Sequence, residues 1–283
     1  MASTPVELPR LGTGYAQRAV ERYEHDRVER GDDAIAEEVP VAMVYNGESF
    51  AVMIMTPLDL EDFALGFSLS EGLLGSAAEL ESIRVQPRLE GIELLMKVSA
   101  AIPGQGSGRH HERLLPGRSG CGLCGARTLE DAVRHPGPVG HGPHIDAEAL
   151  NRALLALRST QPINLATGSV HAAAWADTRG QIMLVREDVG RHNALDKLIG
   201  AMLRRGVDSE AGFLLVTSRA SYEMVIKATT IGITIMAAIS APTALGIHLA
   251  RDTGLTLIGF ARADSHVVYT HPRRLRHAVG LRA

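Results

Sequence analysis

The two cysteines of the 283-residue chain, Cys121 and Cys124, stand three positions apart and are its only cysteines. Glycines flank them, and the preceding loop, residues 103–120, is rich in glycine, arginine and histidine. Residues 126–134 after the pair have the pattern of a short helix. A helix N-terminus and neighbouring arginines favour the thiolate form of a cysteine, which is the nucleophilic form. The pair therefore predicts thiol chemistry.

The cysteine pair also permits other interpretations. A structural zinc ion needs four ligands, and the chain has no second cysteine pair. Nearby histidines would have to complete such a site: His110, His111, His135, His141 and His144. A thioredoxin-like dithiol would follow a strand at the start of a βαβ unit, whereas this pair follows a long loop. An inert core role fits poorly between glycines in a polar loop. We expect no bound metal, and zinc is the alternative.

The composition indicates a globular protein of roughly two domains. Hydrophobic residues make up 45% of the chain, and 29 basic residues balance 32 acidic ones. This balance gives no bulk charge for binding nucleic acid or a membrane surface. We find neither a secretory signal pattern nor an apolar stretch of transmembrane length. Two cysteines so close together cannot stabilise a fold by a disulfide, so we expect a cytoplasmic protein. From the charge balance and the lack of an apolar stretch, we expect no nucleic-acid or membrane partner.

The first half of the chain predicts a loosely ordered leader over residues 1–36 and a small α+β domain over residues 37–135. Asn46-Gly47 between two apolar runs is the strongest short signal for a β-hairpin. Apolar residues at helical intervals after Pro57 predict a helix. The domain would end in the cysteine loop. Its predicted elements are two hairpin strands, a helix and two further strands: residues 39–44, 49–55, 58–74, 82–86 and 91–99.

The second half predicts an α/β domain over residues 146–283. A stretch rich in proline, glycine and histidine, residues 135–144, marks the boundary before it. Asp146 is a candidate N-cap for a first helix that ends near Arg158. Short apolar strands then alternate with helical patterns, which is typical of a mainly parallel sheet covered on both faces. The predicted strands are residues 169–176, 182–186, 213–218, 233–240 and 255–260, and the helices are residues 193–205, 222–231 and 243–252.

Polar residues follow the carboxyl ends of these strands, where α/β sheets bind their ligands. Arg191 and His192 come after the second strand, and Ser218 and Arg219 come at the end of the third. The last strand leads into Phe260, Ala261, Arg262, Ala263, Asp264 and Ser265. Arginines and helix N-termini suit phosphate groups. We therefore predict a site for an anionic ligand at this edge of the sheet.

Five blocks of the sequence resemble one known family. The most specific block is Arg-Glu-Asp-Val-Gly-Arg-His-Asn-Ala-Leu-Asp-Lys at residues 186–197. The other blocks are residues 119–125 around the cysteine pair, 167–173, 218–224 and 240–245. With these blocks the chain resembles the formate dehydrogenase accessory sulfurtransferase family, from about residue 37 to residue 269.

The resemblance implies a cytoplasmic sulfurtransferase that takes persulfide sulfur from a cysteine desulfurase. That sulfur would pass to the molybdenum or tungsten bis-guanine-dinucleotide cofactor before the cofactor enters formate dehydrogenase. Cys121 would carry the persulfide, Cys124 would assist it, and residues 260–265 would bind the cofactor. GDP or GTP is the expected mimic of that cofactor. The resemblance also implies a homodimer and a larger domain with a mixed or parallel sheet, similar to the cytidine deaminase fold.

Two alternative functions remain to be weighed against sulfur transfer. A non-catalytic chaperone would bind the cofactor and use the cysteine pair structurally, with or without zinc. A zinc deaminase would need His-x-Glu followed at a distance by Pro-Cys-x-x-Cys. Only eight residues lie between Glu112 of His110-His111-Glu112 and Cys121, and Gly120 replaces the proline. Deamination is therefore disfavoured.

Overall fold

The structure is a computed structural model that describes residues 12–99, 101–102 and 136–277. Cys121, Cys124, the basic loop before them and the helix predicted over residues 126–134 lie outside these ranges. No helix within the described ranges is both long and apolar enough to cross a membrane.

Residues 15–36 form a regular two-stranded ribbon, which corrects the expectation of a loosely ordered leader for this part of the chain. β1 (Tyr15–Glu24) pairs antiparallel with β2 (Arg27–Ala36) along its whole length. Across the strands, Nε of Arg30 lies 2.9 Å from a carboxylate oxygen of Glu21. Most side chains on both faces are exposed. This agrees with the sequence, which lacks the apolar alternation of a half-buried strand. Backbone pairing, polar cross-strand contacts and contacts with the helix Pro162–Thr167 hold the ribbon instead.

A four-stranded sheet and one helix follow the ribbon in the described residues up to 102, and they agree with the hairpin, helix and two further strands predicted there. The strands are β3 (Val39–Tyr45), β4 (Glu48–Met55), β5 (Leu80–Arg88) and β6 (Gly91–Val98), in the order β4-β3-β6-β5. Asn46 and Gly47 have positive φ angles of 50° and 88°, as the tight turn between β3 and β4 requires. The helix α1 (Leu60–Ser70) buries Phe63 and Phe67 against this sheet.

The second half contains a six-stranded sheet and five helices in its described residues. The strands are β7 (Ile145–Asp146), β8 (His171–Asp177), β9 (Ile182–Asp188), β10 (Gly212–Val216), β11 (Ile235–Ala238), β12 (Thr256–Gly259), β13 (Val267–Thr270) and β14 (Leu275–Arg276). The helices are α2 (Ala147–Ser159), α3 (Pro162–Thr167), α4 (Arg191–Arg204), α5 (Tyr222–Thr230) and α6 (Ala244–Thr253). β7 and β14 pair with each other outside the large sheet.

The large sheet is mixed, with the strand order β13-β12-β11-β10-β8-β9. Parallel pairing joins β10 to β11 and β11 to β12, whereas the three remaining neighbouring pairs are antiparallel. The expectation of a mainly parallel sheet was therefore wrong. The physical reason is that β8 and β9 form a hairpin, and β8 rather than β9 pairs with β10.

Helices cover both faces of the large sheet. α2 packs on one face, together with Phe213 and Leu215 of β10. α4, α5 and α6 pack on the other face, together with Leu214 and Val216 of the same strand. Alternate residues of β10 thus point to opposite layers, which explains why the strand is apolar throughout.

The helices α1 and α4 pack directly against each other, so the two halves of the chain are in contact. Two glycines allow this close approach. A Cβ atom on Gly66 would overlap the carbonyl oxygen of Asp196, and one on Gly200 would overlap that of Asp62. The side chain of Asp62 also lies 2.6 Å from Nη2 of Arg186. The boundary between two domains near residues 135–146 remains a prediction.

Candidate functional site: the loop edge of the large sheet

Four strands of the large sheet end at the same edge. β9 runs in the direction of β10, because β8 is antiparallel to both of them, and β11 and β12 are parallel to β10. The segments after these four strands are residues 189–192, 217–221, 239–243 and 260–266. We call them together the loop edge. The structure therefore brings the predicted site residues that follow these strands to one side of the sheet.

Backbone hydrogen bonds join three segments of the loop edge into one surface. The N–H group of Phe260 donates to the carbonyl oxygen of Ser240 at 3.1 Å. The N–H group of Thr243 donates to the carbonyl oxygen of Ala220 at 3.1 Å. Residues 239–243 thus connect the segment that carries Ser218 and Arg219 to the segment that begins at Phe260.

Residues 260–265 form a compact turn with an exposed aromatic ring at its start. Phe260 has a φ angle of +49° and is 47% exposed, although phenylalanine rarely takes a left-handed backbone. The N–H group of Arg262 donates to the carbonyl oxygen of Ser265 at 2.7 Å, and its guanidinium donates to that of Ile239 at 2.7 Å. Ala263 and Asp264 lie between these anchored ends. The turn thus exposes the ring of Phe260 and, two residues later, an arginine held by hydrogen bonds.

Ser218 and Arg219 differ in what they offer to a ligand. Ser218 is buried, and its hydroxyl group donates to the carbonyl oxygen of Arg219 at 3.0 Å. This hydroxyl proton is already used within the protein, and phosphate oxygens need donors. The side chain of Arg219 is exposed. Arg219 is therefore the stronger candidate for contact with an anion.

Asp188 fixes the turn before α4 to the end of β4. Its fully buried carboxylate accepts hydrogen bonds from the N–H groups of Thr56 at 3.1 Å and Gly190 at 2.7 Å. Lys197, also fully buried, lies 2.6 Å from this carboxylate and donates to the carbonyl oxygen of Thr56 at 2.8 Å. The side-chain amide of Asn193 donates to Asp188 at 3.0 Å. Contacts with the first half of the chain therefore set the position at which α4 begins.

Arg191 and His192, the first two residues of α4, face Glu223 of α5. Nε2 of His192 lies 2.7 Å from a carboxylate oxygen of Glu223, and Nη2 of Arg191 lies 3.9 Å from the same oxygen. The His192 contact is short but is not directed as a hydrogen bond, so it is an electrostatic contact. His192 and Glu223 are largely buried, whereas the side chain of Arg191 is 33% exposed.

His171, at the start of β8, contributes a further titratable group to the loop edge. Burial lowers the pKa of its imidazole below the ordinary value of 6.5, and the charges of Arg191 and His192 lower it further. Asp188 opposes these effects in part. The imidazole of His171 is therefore neutral at neutral pH.

Buried polar atoms without hydrogen-bond partners are concentrated at the loop edge. Among the described residues they are Asn151 Oδ1, Arg191 Nε, His192 Nε2, Asn193 Oδ1, Ser221 Oγ and Thr234 Oγ1. Three of these six atoms belong to the first turn of α4, and a fourth belongs to Ser221, the residue before α5. Unsatisfied buried polar groups are rare in folded proteins and call for an explanation. A bound polar ligand would explain this cluster.

The residues of the loop edge fit a phosphorylated nucleotide better than a metal ion. Arginines, two helix N-termini and unpartnered donors suit a diphosphate group, and the ring of Phe260 suits a purine face. No group of three or more metal-ligating side chains is present within the described ranges. The residues present therefore fit the guanine-dinucleotide part of the expected cofactor.

Several residues that adjoin the loop edge were not selected from the sequence. Asp188 and Glu223 stand within the sequence blocks that carry the family resemblance, and so does His171. Their place in these blocks was the available sequence signal. The structure adds that each of these polar residues is buried or half-buried. Thr56 gave no such signal, because it meets Asp188 only across 132 residues of chain.

The fold and the loop edge define a mixed α/β protein suited to a phosphorylated ligand, in a chain that also carries a Cys-x-x-Cys sequence. The chain belongs to the FdhD/NarQ family, whose model matches residues 36–276. The family expected from the sequence blocks is thus confirmed.

Curated relatives bear the name sulfur carrier protein FdhD. The relative from Xanthomonas euvesicatoria pv. vesicatoria is 54% identical over 267 residues, which cover 93% of this chain and 92% of the relative. The relative from Cupriavidus necator is 49% identical over 263 residues, which cover 93% and 91%. A solved structure from Desulfotalea psychrophila, described as a candidate formate dehydrogenase accessory protein, covers 93% of this chain and 99% of its own. It is 22% identical with a TM-score of 0.72, which shows the fold.

Proposed function

We propose that the protein is a sulfur carrier that serves the metal cofactor of formate dehydrogenase. Family membership, with a curated sulfur-carrier relative 54% identical over 93% of the chain, is the observation that carries the proposal. The chain also has the two thiols that a carrier of this kind can use, Cys121 and Cys124.

Cys121 receives the sulfur from the persulfide of a cysteine desulfurase. Its thiolate attacks the outer sulfur of that persulfide, a new S–S bond forms on Cys121, and the desulfurase cysteine leaves as a thiolate. No external oxidant is needed, because the sulfane sulfur keeps its oxidation state. The arginine-rich loop before Cys121 and the glycines beside it support this assignment from the sequence alone.

Cys124 assists the release of the sulfur. Its thiolate can attack the inner sulfur of the Cys121 persulfide, which breaks the S–S bond and expels the outer sulfur as hydrosulfide. The product is a disulfide between Cys121 and Cys124, which a cellular dithiol must reduce before the next cycle. Direct transfer of the outer sulfur guided by Cys124 is the other route.

The loop edge binds the substrate that accepts the sulfur, the molybdenum or tungsten bis-guanine-dinucleotide cofactor. Arg191, Arg219 and the first turns of α4 and α5 hold its phosphates, and Phe260 stacks on guanine. His192 and Ser218, which are both buried, support this surface from beneath, and residues 261–265 extend it. The cluster of unpartnered polar atoms at this edge supports the placement. GDP or GTP is the fragment expected to bind there.

Further features of the role follow from the family resemblance. The desulfurase and formate dehydrogenase are the protein partners, the working form is a homodimer, and the location is the cytoplasm. The second half of the chain has the cytidine-deaminase-like fold. A cofactor-binding chaperone with a structural cysteine pair is the alternative, and the presence or absence of a sulfur adduct distinguishes it from a carrier.

The test is intact-mass spectrometry of the full chain after incubation with a cysteine desulfurase and cysteine. The wild-type protein should gain the mass of one sulfur atom, and a thiol reductant should remove it. Cys121→Ala should gain nothing, whereas Cys124→Ala should still gain the sulfur because its persulfide site is intact. The two variants are matched controls for each other, since each keeps one thiol.

Two outcomes would count against the proposal. An unloaded wild-type protein that contains stoichiometric zinc, lost in both cysteine variants, would support the structural alternative. A sulfur adduct that survives Cys121→Ala and disappears in Cys124→Ala would reverse the roles of the two cysteines.

A further inference from the structure

Glu223 places a negative charge in the middle of an edge that is otherwise suited to anions. It is the second residue of α5, and its side chain is only 15% exposed. Its carboxylate lies 2.7 Å from Nε2 of His192 and 3.9 Å from Nη2 of Arg191. An acidic side chain thus lies against the imidazole and guanidinium groups that a phosphate would also contact.

The contacts of Glu223 leave donors of its neighbours unsatisfied. Its approach to His192 lacks hydrogen-bond geometry, although His192 is 95% buried at a relative exposure of 5%. Nε of Arg191 is buried and has no hydrogen-bond partner. The carboxylate therefore compensates charge here without completing the hydrogen bonds, and an anion with more oxygen atoms would complete them.

The backbone around Glu223 also favours a negative group. The N-cap residue of α5, Ser221, makes no side-chain cap, and its buried hydroxyl oxygen has no hydrogen-bond partner. The N-cap residue of α4 is Gly190, which has no side chain to cap with. The positive ends of the α4 and α5 helix dipoles thus add to the attraction that Arg191 and His192 exert on an anion.

We propose that Glu223 is a built-in counter-anion of the loop edge, which a diphosphate group displaces when it binds. Its charge opposes the incoming phosphates and so determines how tightly a nucleoside diphosphate is held. A carrier that must hand its bound substrate on benefits from such a limit on affinity. The inference rests on the proposed function for the identity of the ligand, but it assigns to Glu223 a role in setting affinity.

The inference predicts a gain of affinity when the charge of Glu223 is removed. Glu223→Gln keeps the shape of the side chain, so the full-chain protein should bind GDP and inorganic pyrophosphate at least about tenfold more tightly. Isothermal titration calorimetry measures both affinities. Asp252→Asn is the matched control, because it removes one negative charge from an exposed site on α6, where Asp252 pairs with His248. The control should bind both probes like the wild type.

Equal or weaker binding of both probes by Glu223→Gln would overturn the inference. Absence of any binding by wild type and variant alike would overturn it as well. Glu223→Ala provides a second variant if the glutamine protein unfolds at a lower temperature than the wild type. Sulfur loading of Cys121, measured by mass in the same variants, reports on the proposed function independently. A Glu223→Gln protein that takes up sulfur on Cys121 but binds GDP and pyrophosphate like the wild type would refute only the role of Glu223.

Discussion

Lys227 and Asp196 form a buried ion pair in which Nζ of the lysine lies 2.8 Å from Oδ2 of the aspartate. Glu71, just after α1, also contacts Nζ at 2.6 Å, so the lysine joins α5 to α4 and α1. Burial alone would lower the pKa of Lys227, but the carboxylates of Asp196 and Glu71 outweigh it and raise the pKa. The ammonium group therefore stays charged inside the protein.

Replacement of Lys227 by methionine should destabilise the protein strongly. The variant leaves two buried or nearly buried carboxylates without their cation, and breaking such a pair costs about 3–5 kcal/mol. Equilibrium unfolding in urea measures the free energy of unfolding. Lys97→Met is the control, because Lys97 pairs with Glu81 on the exposed surface, and it should change stability by less than about 1 kcal/mol. Similar losses in the two variants would contradict this interpretation.

Gly66→Ala should disrupt the contact between α1 and α4. The added methyl group would overlap the backbone carbonyl oxygen of Asp196, which cannot move away as a flexible side chain could. We expect a loss of at least about 3 kcal/mol in unfolding free energy, at the upper end for overpacked cores. Gly31→Ala in the exposed ribbon is the control, since a Cβ there would lie 3.5 Å from the end of Arg22. A stable Gly66→Ala protein would show that the two helices can separate.

Phe260→Ala should weaken GDP binding without changing pyrophosphate binding. The ring is expected to stack on the base, and loss of base stacking costs about 1–3 kcal/mol.

Arg219→Ala should weaken the binding of both GDP and pyrophosphate by about tenfold or more, because its guanidinium is expected to contact the phosphates. Calorimetry measures all four affinities. Leu155→Ala, on the exposed surface of α2, is the control for loss of an apolar side chain. If Phe260→Ala weakened the binding of GDP and of pyrophosphate equally, the purine would not lie on this ring.

His171 should make the protein less stable as the pH falls. Because burial and the charges of Arg191 and His192 hold its folded-state pKa below 6.5, the unfolded chain takes up the proton first. The contribution of neutral His171 to the free energy of unfolding is therefore present in full above the unfolded-state pKa. It is lost as the pH falls towards the folded-state pKa.

Unfolding free energies of the wild type and His171→Gln, measured between about pH 7.5 and about pH 5.5, check this effect. The wild type should lose stability more steeply on acidification than the variant. His248→Gln, at an exposed position on α6, is the control and should follow the wild type. Identical slopes for the wild type and His171→Gln would refute the lowered pKa.

Elements with a buried face were predictable from the sequence, whereas their arrangement was not. Asn46-Gly47 identified a hairpin because the turn demands positive φ at both residues, a purely local requirement. The ribbon of β1 and β2 has no such buried face and was missed. The place of β8 between β10 and β9 depends on pairing between distant segments, which no local pattern records.

The loop edge was predictable in outline because residues after strand ends are identified by their position in the chain. Arg191 and Arg219 were selected in this way, and the direction of β9 brings them to one edge despite the antiparallel β8. Glu223 was not selected, since an acidic residue in a helix has no evident role until the fold sets it against His192. The binding roles themselves and those of the cysteines remain predictions.

The ribbon of β1 and β2 should open to solvent on a shorter time scale than the rest of the molecule. Its amide groups are protected mainly by the partner strand, whereas those of α1 and α4 are sealed between packed layers. An isolated two-stranded hairpin is only marginally stable in water. The ribbon amides should therefore exchange their hydrogens with solvent through local opening, long before the helices do so through global unfolding. A protease that cuts between β1 and β2 would leave the folded body of the protein behind.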